Sequence, residues 1–354
     1  MRGLLAVAAL AALMLSGGCG FTTLDYLLLL AAGQAEVLEG SEPISEALAG
    51  SDLDASTRAK LLWVQEVREF ATGRLGLEAG ESYRLFYDTS GGPAVWNISA
   101  APKDRLTAAS WTMPVIGAIE YVGFFDLKDA LAYERYLEGL GLDVWRFGAV
   151  AYSTAGIYPD PLFSPVLELA EDELAETVIH ELTHNTVFAA GNSAYNESVA
   201  TFVGRRGAEM LMEERFGTGS ELAQRFDERR ADEGRTEAFM SDLIADLEGF
   251  YSREDLGRDE KIAGRDAVFA SASERFATQV LPEMSEPARY AGLADLPANN
   301  AFVLLHRRYH LDLELFESVY EASDRDLPAA IRVFGEAAGT DDPYGYLRSA
   351  SAGR

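Results

Sequence analysis

The chain has 354 residues, of which 48% are hydrophobic, enough to bury the core of one large domain or of two closely joined ones. Its formal net charge at pH 7 is −27. Because a negative field of this size repels phosphate groups, the composition disfavours nucleic acids and anionic lipid surfaces as partners.

The first 18 residues have the pattern of a signal peptide. Arg2 supplies a positive start, residues 4–15 form an apolar stretch too short to span a bilayer, and small residues precede Cys19. Cys19 is the only cysteine, which excludes an internal disulfide and puts the thiol where a bacterial lipoprotein carries its lipid. Ser16 stands where leucine is more usual, so an ordinary cleaved signal that leaves a free thiol is the alternative.

These features predict a protein of the bacterial cell envelope that faces the periplasm and is held to the membrane by a lipid on Cys19. Gly20 rather than aspartate follows the cysteine, which by analogy with other lipoproteins favours the outer membrane. No later stretch of the sequence is long and apolar enough to span a bilayer. The lipid is therefore the only membrane anchor that we expect.

Residues 20–163 change from helical to strand-like patterns. Apolar spacing predicts helices at residues 24–38 and 55–70, separated by a turn-rich segment at residues 40–54. A small mixed β-sheet is predicted next, with one helix at residues 127–140 and strands at residues 83–87, 94–98, 114–121 and 144–152. We interpret residues 150–156 either as an edge that binds a peptide by strand addition or as an ordinary buried strand.

The strongest chemical signal lies on the helix that follows this sheet. His180 and His184 are four residues apart, so both rings leave one face of the helix at a spacing that suits one zinc ion. Glu181 lies beside them, where it can take a proton from a metal-bound water without being a ligand. The chain has only four histidines, which argues against a chance occurrence on a solvated helix.

A third protein ligand is expected in the next helix. Gly191 and Asn192 form a stop signal, and a short turn there would bring Glu197, in the first turn of the second helix, to face the histidine pair. Alternatively, Glu197 is a first-turn acid favoured by the helix dipole. Gly204 and Gly207 weaken the second helix, so we expect them to allow close packing of the two helices.

At this point the sequence resembles a known family. The segments HELTH (180–184) and NESVATFVG (196–204) are similar to the glutamate-ligand zinc peptidases, and most of the chain resembles one group among them, the predicted aminopeptidases of the bacterial cell envelope, often lipoproteins. The similar segments occur in the same order: Gly33 with Gln34, then residues 95–97, 100–102, 111–117, 121–126, 152–154, 160–161 and 299–301. Ala155 and Ile157 depart from the family pattern outside the metal motif, and they bear on substrate shape.

The C-terminal half is predicted to be helical. Residues 209–280 read as a solvated helical hairpin laced with ion pairs. Tyr309 stands where the resembling family has a tyrosine, and it is our first choice for the donor that stabilises the oxyanion, with His310 and Tyr195 in reserve. His306 and His310 lack an intervening acid and a further partner, so we do not expect a second zinc site.

The sequence therefore predicts an α+β fold, mainly helical, with a zinc-peptidase-like core. The expected divisions are residues 1–18 (signal peptide), 19–74 (helical), 75–163 (sheet region), 164–216 (zinc-binding helix pair) and 217–349 (helical). We predict one zinc ion per chain, held by His180, His184 and Glu197, and hydrolysis of peptides with Glu181 as general base.

The sequence leaves several alternatives for the type of peptidase. Aminopeptidase specificity rests on the resemblance alone, because no residue among the 57 acidic ones stands out as the anchor for a free amine. The alternatives are a zinc endopeptidase that acts on envelope proteins and a non-catalytic lipoprotein in which zinc staples two helices. A purely structural zinc site usually has four protein ligands and has no use for Glu181, which argues against the last alternative.

Overall fold

A computed structural model describes residues 23–50, 53–113, 117–154, 158–309 and 313–352. The predicted signal peptide, Cys19, Ala155, Ile157 and His310 lie outside these residues. Among the helices that the structure describes, none combines the length and the apolar character that a membrane crossing requires.

Three helices form the N-terminal part: α1 (Thr23–Gly40), α2 (Ile44–Ala49) and α3 (Ala55–Gly73). The two helices predicted here are confirmed as α1 and α3. Asp54 starts α3, since its carboxylate accepts hydrogen bonds from the backbone N–H groups of Ser56 and Thr57 at 2.8 and 3.0 Å. The segment predicted to consist of turns contains α2, which buries Ile44 and Ala47.

The predicted small sheet region is present, but among the described residues its strands form two sheets and a ribbon and not one mixed sheet. In the first sheet, β2 (Leu85–Tyr87) pairs antiparallel with β1 (Glu42–Pro43) and parallel with β8 (Leu162–Phe163). In the second sheet, β3 (Val95–Pro102) lies between β6 (Val122–Phe124) and β7 (Leu142–Ala149), and all pairs are antiparallel. The ribbon consists of β4 (Trp111–Met113) and β5 (Gly117–Ile119).

The strand expected to reach residue 152 ends earlier. Ala149 in β7 pairs with Val95, the first residue of β3, so the chain beyond has no partner strand. Residues 150–154 form no strand, and the backbone N–H of Thr154 donates to the Asp160 carboxylate at 3.1 Å. In the described part of residues 150–156 there is accordingly no strand, neither a buried one nor an edge for peptide addition.

The remaining chain is helical. Helix α4 (Leu127–Gly139) precedes β7, and the predicted helix pair at the motif is α5 (Glu171–Thr186) and α6 (Ser193–Phe216). The predicted hairpin is α7 (Glu221–Tyr251) and α8 (Arg258–Arg275). The shorter helices that follow are α9 (Pro287–Tyr290), α10 (Asn300–Tyr309), α11 (Leu313–Ala322), α12 (Leu327–Ala338) and α13 (Pro343–Ala352).

The helix pair α5 and α6 lies in the largest apolar core. That core combines buried side chains of α3, such as Val64, with Ile179 of α5, Val203 of α6, and Phe316 and Phe334 of the C-terminal helices. The predicted class, α+β and mainly helical, is confirmed. Helix α3 and the C-terminal helices thus help to hold the helix pair in place.

Candidate metal centre

Helix α5 presents its motif from a well-buried helix. Its first turn is acidic, which suits the positive end of the helix dipole, and the Glu173 carboxylate accepts a hydrogen bond from the backbone N–H of Ala170 at 3.3 Å. Leu174, Val178 and Leu182 are fully buried, so the apolar side of the helix faces the core. The helix ends at Thr186, before the Gly191 stop signal.

The two histidine rings converge on one carboxylate oxygen. The Nε2 atom of His180 lies 3.4 Å from Oε2 of Glu197, and the Nε2 atom of His184 lies 3.8 Å from the same oxygen. The ring centroids are 5.0 Å apart and the ring planes are nearly perpendicular. The structure therefore brings together all three residues that we predicted as ligands.

The turn between α5 and α6 is held by two asparagines. Gly191 has φ of +77°, a conformation that glycine adopts without strain, and the Asn192 side chain caps α6 by accepting from the N–H of Tyr195 at 3.1 Å. The buried Asn196 side chain accepts from the N–H of Ala189 at 2.7 Å and donates to its carbonyl oxygen at 3.0 Å. This pair of hydrogen bonds ties the first turn of α6 to the end of α5, next to Glu197.

Two glycines of α6 allow this helix to pack closely against its neighbours. A Cβ atom on Gly204 would lie 2.9 Å from the carbonyl oxygen of Glu176 and 3.2 Å from Cβ of His180. A Cβ atom on Gly207 would lie 2.8 Å from the Leu75 side chain and 3.1 Å from that of Ile179. The predicted role of both glycines in close helix packing is therefore confirmed.

These three side chains fit a metal ion. One ligand atom from each of His180, His184 and Glu197 can be chosen such that all lie within 4.8 Å of one another. Two imidazole nitrogens and one carboxylate oxygen are a donor set that suits zinc, and three protein ligands leave a coordination position open. The position of Glu197 opposite the two histidines is compatible with the first of its two predicted roles, that of a metal ligand.

Burial and charge control the titration of the site. Burial lowers the pKa of His184 to about 4, so its ring is neutral at pH 7 and offers a lone pair to a metal. Burial would also lower the pKa of His180, but the Glu197 hydrogen bond and the nearby carboxylates raise it above its ordinary value. Burial raises the pKa of Glu181 to about 7, with contributions from Glu197 and Asp160 and against that of His180.

A partly buried loop, residues 150–160, lies on the Glu181 side of α5. The Asp160 carboxylate accepts hydrogen bonds from the Thr154 hydroxyl at 2.7 Å and from the Ser153 hydroxyl at 3.2 Å. The same Ser153 hydroxyl lies 3.3 Å from Oδ1 of Asn185, a second acceptor for its single proton. Asn185 follows His184 directly, so this loop is fastened to the motif helix.

A cluster of charged side chains joins α5, α6 and α7 by ion pairs. Arg229 contacts the carboxylates of Asp172 and Glu176 at 2.9 and 3.2 Å, and Arg205 contacts Glu176 at 3.5 Å and Glu237 at 2.7 Å. Both arginines are buried. The prediction of a simply solvated hairpin is therefore wrong at this end of α7, because charged residues there face α5 and α6.

Of the three candidates for oxyanion stabilisation, the structure describes the side chain of Tyr195 alone. Tyr309 is the last residue of α10, and its side chain is outside the described set, as is the whole of His310. Tyr195 is fully buried, and its hydroxyl donates to the carbonyl oxygen of Phe334 at 2.7 Å. Tyr195 is thus a core residue and not a donor to the site.

One contact at the site was missed by the sequence analysis. The Tyr121 hydroxyl donates to Oε1 of Glu197 at 3.2 Å. Tyr121 begins one of the segments that resemble the aminopeptidase family, but its sequence neighbourhood gives no sign of a link to Glu197, 76 positions away. Among the described residues, His180, His184 and Glu197 form one group that could hold a metal ion.

Comparison with known families gives a match to a peptidase family. Residues 25–341 match the model of a family described as "Putative aminopeptidase". Comparisons with curated proteins and with solved structures found no match. The matched segment contains the whole candidate metal centre and the sheets around it.

Proposed function

The chain belongs to the "Putative aminopeptidase" family, and from that premise we propose that it is a zinc-dependent aminopeptidase that hydrolyses peptides in the bacterial cell envelope. The observation that carries the proposal is the convergence of His180, His184 and Glu197, whose ligand atoms lie within 4.8 Å of one another. Glu181 lies on the same helix as the two histidines. This is the residue set that metal-assisted hydrolysis requires.

His180, His184 and Glu197 would hold the zinc ion. Zinc bound there would supply a Lewis acid that polarises the scissile carbonyl and makes a water molecule more acidic. Glu181 accepts the proton of the attacking water and then delivers it to the amine that leaves. Tyr309 remains our proposed donor to the developing oxyanion.

The specificity for free N-termini is supported by the family description alone. The location is supported by the sequence: the signal-like residues 1–18 and Cys19, which would carry the lipid anchor. The negative charge of the chain agrees with anchoring through a lipid chain rather than by attraction to anionic headgroups.

Replacing Glu181 tests the chemistry. We expect Glu181→Gln to keep one zinc per chain and to lower peptide hydrolysis by about 100-fold or more, because the amide cannot accept the proton of the water. Glu171→Gln is the matched control, since Glu171 lies on the same helix with its side chain 47% exposed. Undiminished hydrolysis by Glu181→Gln would show that Glu181 is not the general base.

Replacing His184 tests the metal ligand, and varying the substrate tests the specificity for free N-termini. His184→Ala should lose both zinc and activity, since a metal ligand is removed. Peptides with free N-termini should be cleaved and N-blocked peptides should not. Cleavage of blocked peptides would indicate an endopeptidase, and zinc without any cleavage would indicate a structural site.

A further inference from the structure

The two oxygens of the Glu197 carboxylate have different neighbours. Oε2 faces the Nε2 atoms of His180 and His184 at 3.4 and 3.8 Å. Oε1 accepts a hydrogen bond from the Tyr121 hydroxyl at 3.2 Å. One oxygen is thus directed toward the metal position and the other is held by a phenol.

Tyr121 lies in a short connection that is fixed on both sides. It lies between β5 and β6, and the residues after it pair with the central strand β3, Val122 opposite Ile98. On the other side, a Cβ atom on Gly117 of β5 would lie 2.9 Å from Cα of Gly191, so the ribbon packs against the turn between α5 and α6.

Helix α1 adds a third support to this connection. The Tyr26 hydroxyl donates to the carbonyl oxygen of Gly123 at 3.1 Å and accepts from the N–H of Gly123 at 3.0 Å. Gly123 is two residues from Tyr121. The phenol that contacts Glu197 is therefore held by a β-sheet, by a ribbon and by the N-terminal helix.

We propose that Tyr121 is a positioning residue that restrains the Glu197 carboxylate so that only Oε2 is offered to the metal. The inference rests on the metal site of the proposed function. Groups that hydrogen-bond a ligand orient it, and their loss typically weakens metal binding by about 10- to 100-fold. A carboxylate with both oxygens free can swing to bind through both, which would occupy the position that the substrate needs.

Tyr121→Phe isolates the hydroxyl, because Tyr121 is only half-buried and the substitution leaves the ring in place. Tyr346→Phe is the matched control: it removes a similar bond, from the Tyr346 hydroxyl to the Glu336 carboxylate at 2.7 Å, at the surface of the C-terminal helices. Zinc affinity is measured by competition with a chromophoric chelator, and ligand geometry by the visible absorption of the Co²⁺-substituted proteins.

We expect Tyr121→Phe to bind zinc about 10- to 100-fold more weakly than the parent protein and to change the Co²⁺ spectrum, with Tyr346→Phe unchanged in both. The melting temperature of the metal-free protein shows whether the variant folds. As a second variant, Tyr26→Phe leaves all site residues in place and should weaken zinc binding in the same direction. Parental zinc affinity and an unchanged Co²⁺ spectrum in folded Tyr121→Phe would overturn the inference.

This experiment separates the inference from the proposed function. If the parent protein binds zinc but cleaves no peptide, the proposed peptidase fails, whereas a Tyr121→Phe variant with weakened zinc binding still supports the positioning role. If the parent cleaves peptides and Tyr121→Phe binds zinc like the parent, the function stands and the positioning role is overturned.

Discussion

Gly204 in α6 lies against His180 in α5 so closely that a methyl group between them would sit 3.2 Å from Cβ of His180 and 2.9 Å from the carbonyl oxygen of Glu176. A contact under 3.0 Å with a backbone atom cannot be relieved by a side-chain rotation. The separation of the two metal-binding helices is therefore set by the absence of a side chain at one position.

Gly204→Ala should destabilise the protein and weaken metal binding, because α6 must move away from α5 and carries Glu197 with it. In a helix without neighbours the same change stabilises by up to about 1 kcal/mol. Gly234→Ala provides that control, since nothing lies within 4 Å of a Cβ atom at Gly234 in α7. Urea unfolding of the two variants should give shifts of opposite sign, and a stabilised Gly204→Ala would refute the close packing.

Asn196→Ala should destabilise the protein by about 2–3 kcal/mol, since two hydrogen bonds are lost and the backbone N–H of the buried Ala189 loses its acceptor, while the Ala189 carbonyl keeps its bond from the N–H of Asn192. Asn192→Ala, which removes only an N-cap, should cost about 1 kcal/mol. Chemical unfolding measures both values. If the two substitutions cost the same, Asn196 is not the main lock of the turn.

Part of the metal centre could be predicted from the sequence because local geometry determines it. Residues four apart on a helix share a face whatever surrounds them, so His180 and His184 follow from spacing alone. Glu197 follows from a turn short enough to leave few paths between α5 and α6. Close packing at the glycines of α6 was predicted because glycine destabilises an isolated helix, a cost that close packing can offset.

The contacts that complete the site depend on tertiary packing and were not predictable. Tyr121 reaches Glu197 only because β6 pairs with β3 and the ribbon packs on the turn at Gly191. The division into two sheets depends on β2 pairing with β8, whose registered residues Phe86 and Leu162 are 76 positions apart. Charge at Arg229 gave no sign of burial, because a charged helix is more often solvated.

Asp160 should make the stability of the protein fall as the pH rises. Burial raises the pKa of Asp160 above its ordinary value, despite hydrogen bonds from Thr154 and Ser153 that lower it. The folded protein then binds more protons than the unfolded chain between the unfolded pKa, about 4, and the raised folded value, so the free energy of unfolding decreases as the pH rises through this window. Asp160→Asn should remove this component of the slope.

Asp54 supplies the control of opposite sign for that measurement. The hydrogen bonds from Thr57 lower the pKa of Asp54, so its contribution to stability is present above the unfolded pKa and is lost as the pH falls through the folded value. Urea unfolding at a series of pH values should show slopes that change in opposite directions for Asp160→Asn and Asp54→Asn. Equal slopes in the parent protein and in Asp160→Asn would show that Asp160 does not titrate as described.

Arg229→Met should destabilise the protein by about 3 kcal/mol, because the partly buried carboxylates of Asp172 and Glu176 lose a buried charged partner. Arg215→Met is the control: Arg215 and Glu66 are 2.9 Å apart with side chains 54% and 43% exposed, and such pairs contribute about 1 kcal/mol or less. The effect should also depend on pH. Burial and the charge of Glu233 raise the pKa of Glu176, and Arg205 and Arg229 oppose them.

Without Arg229 the pKa of Glu176 should rise further, and the folded protein then takes up a proton at Glu176 that the unfolded chain does not hold. The free energy of unfolding of Arg229→Met should therefore recover as the pH is lowered from 8 to 5, relative to the parent protein. Urea unfolding at the two pH values measures this recovery. A deficit that stays constant with pH would mean that the lost packing of Arg229, and not the Glu176 carboxylate left with Arg205 as its partner, accounts for the destabilisation.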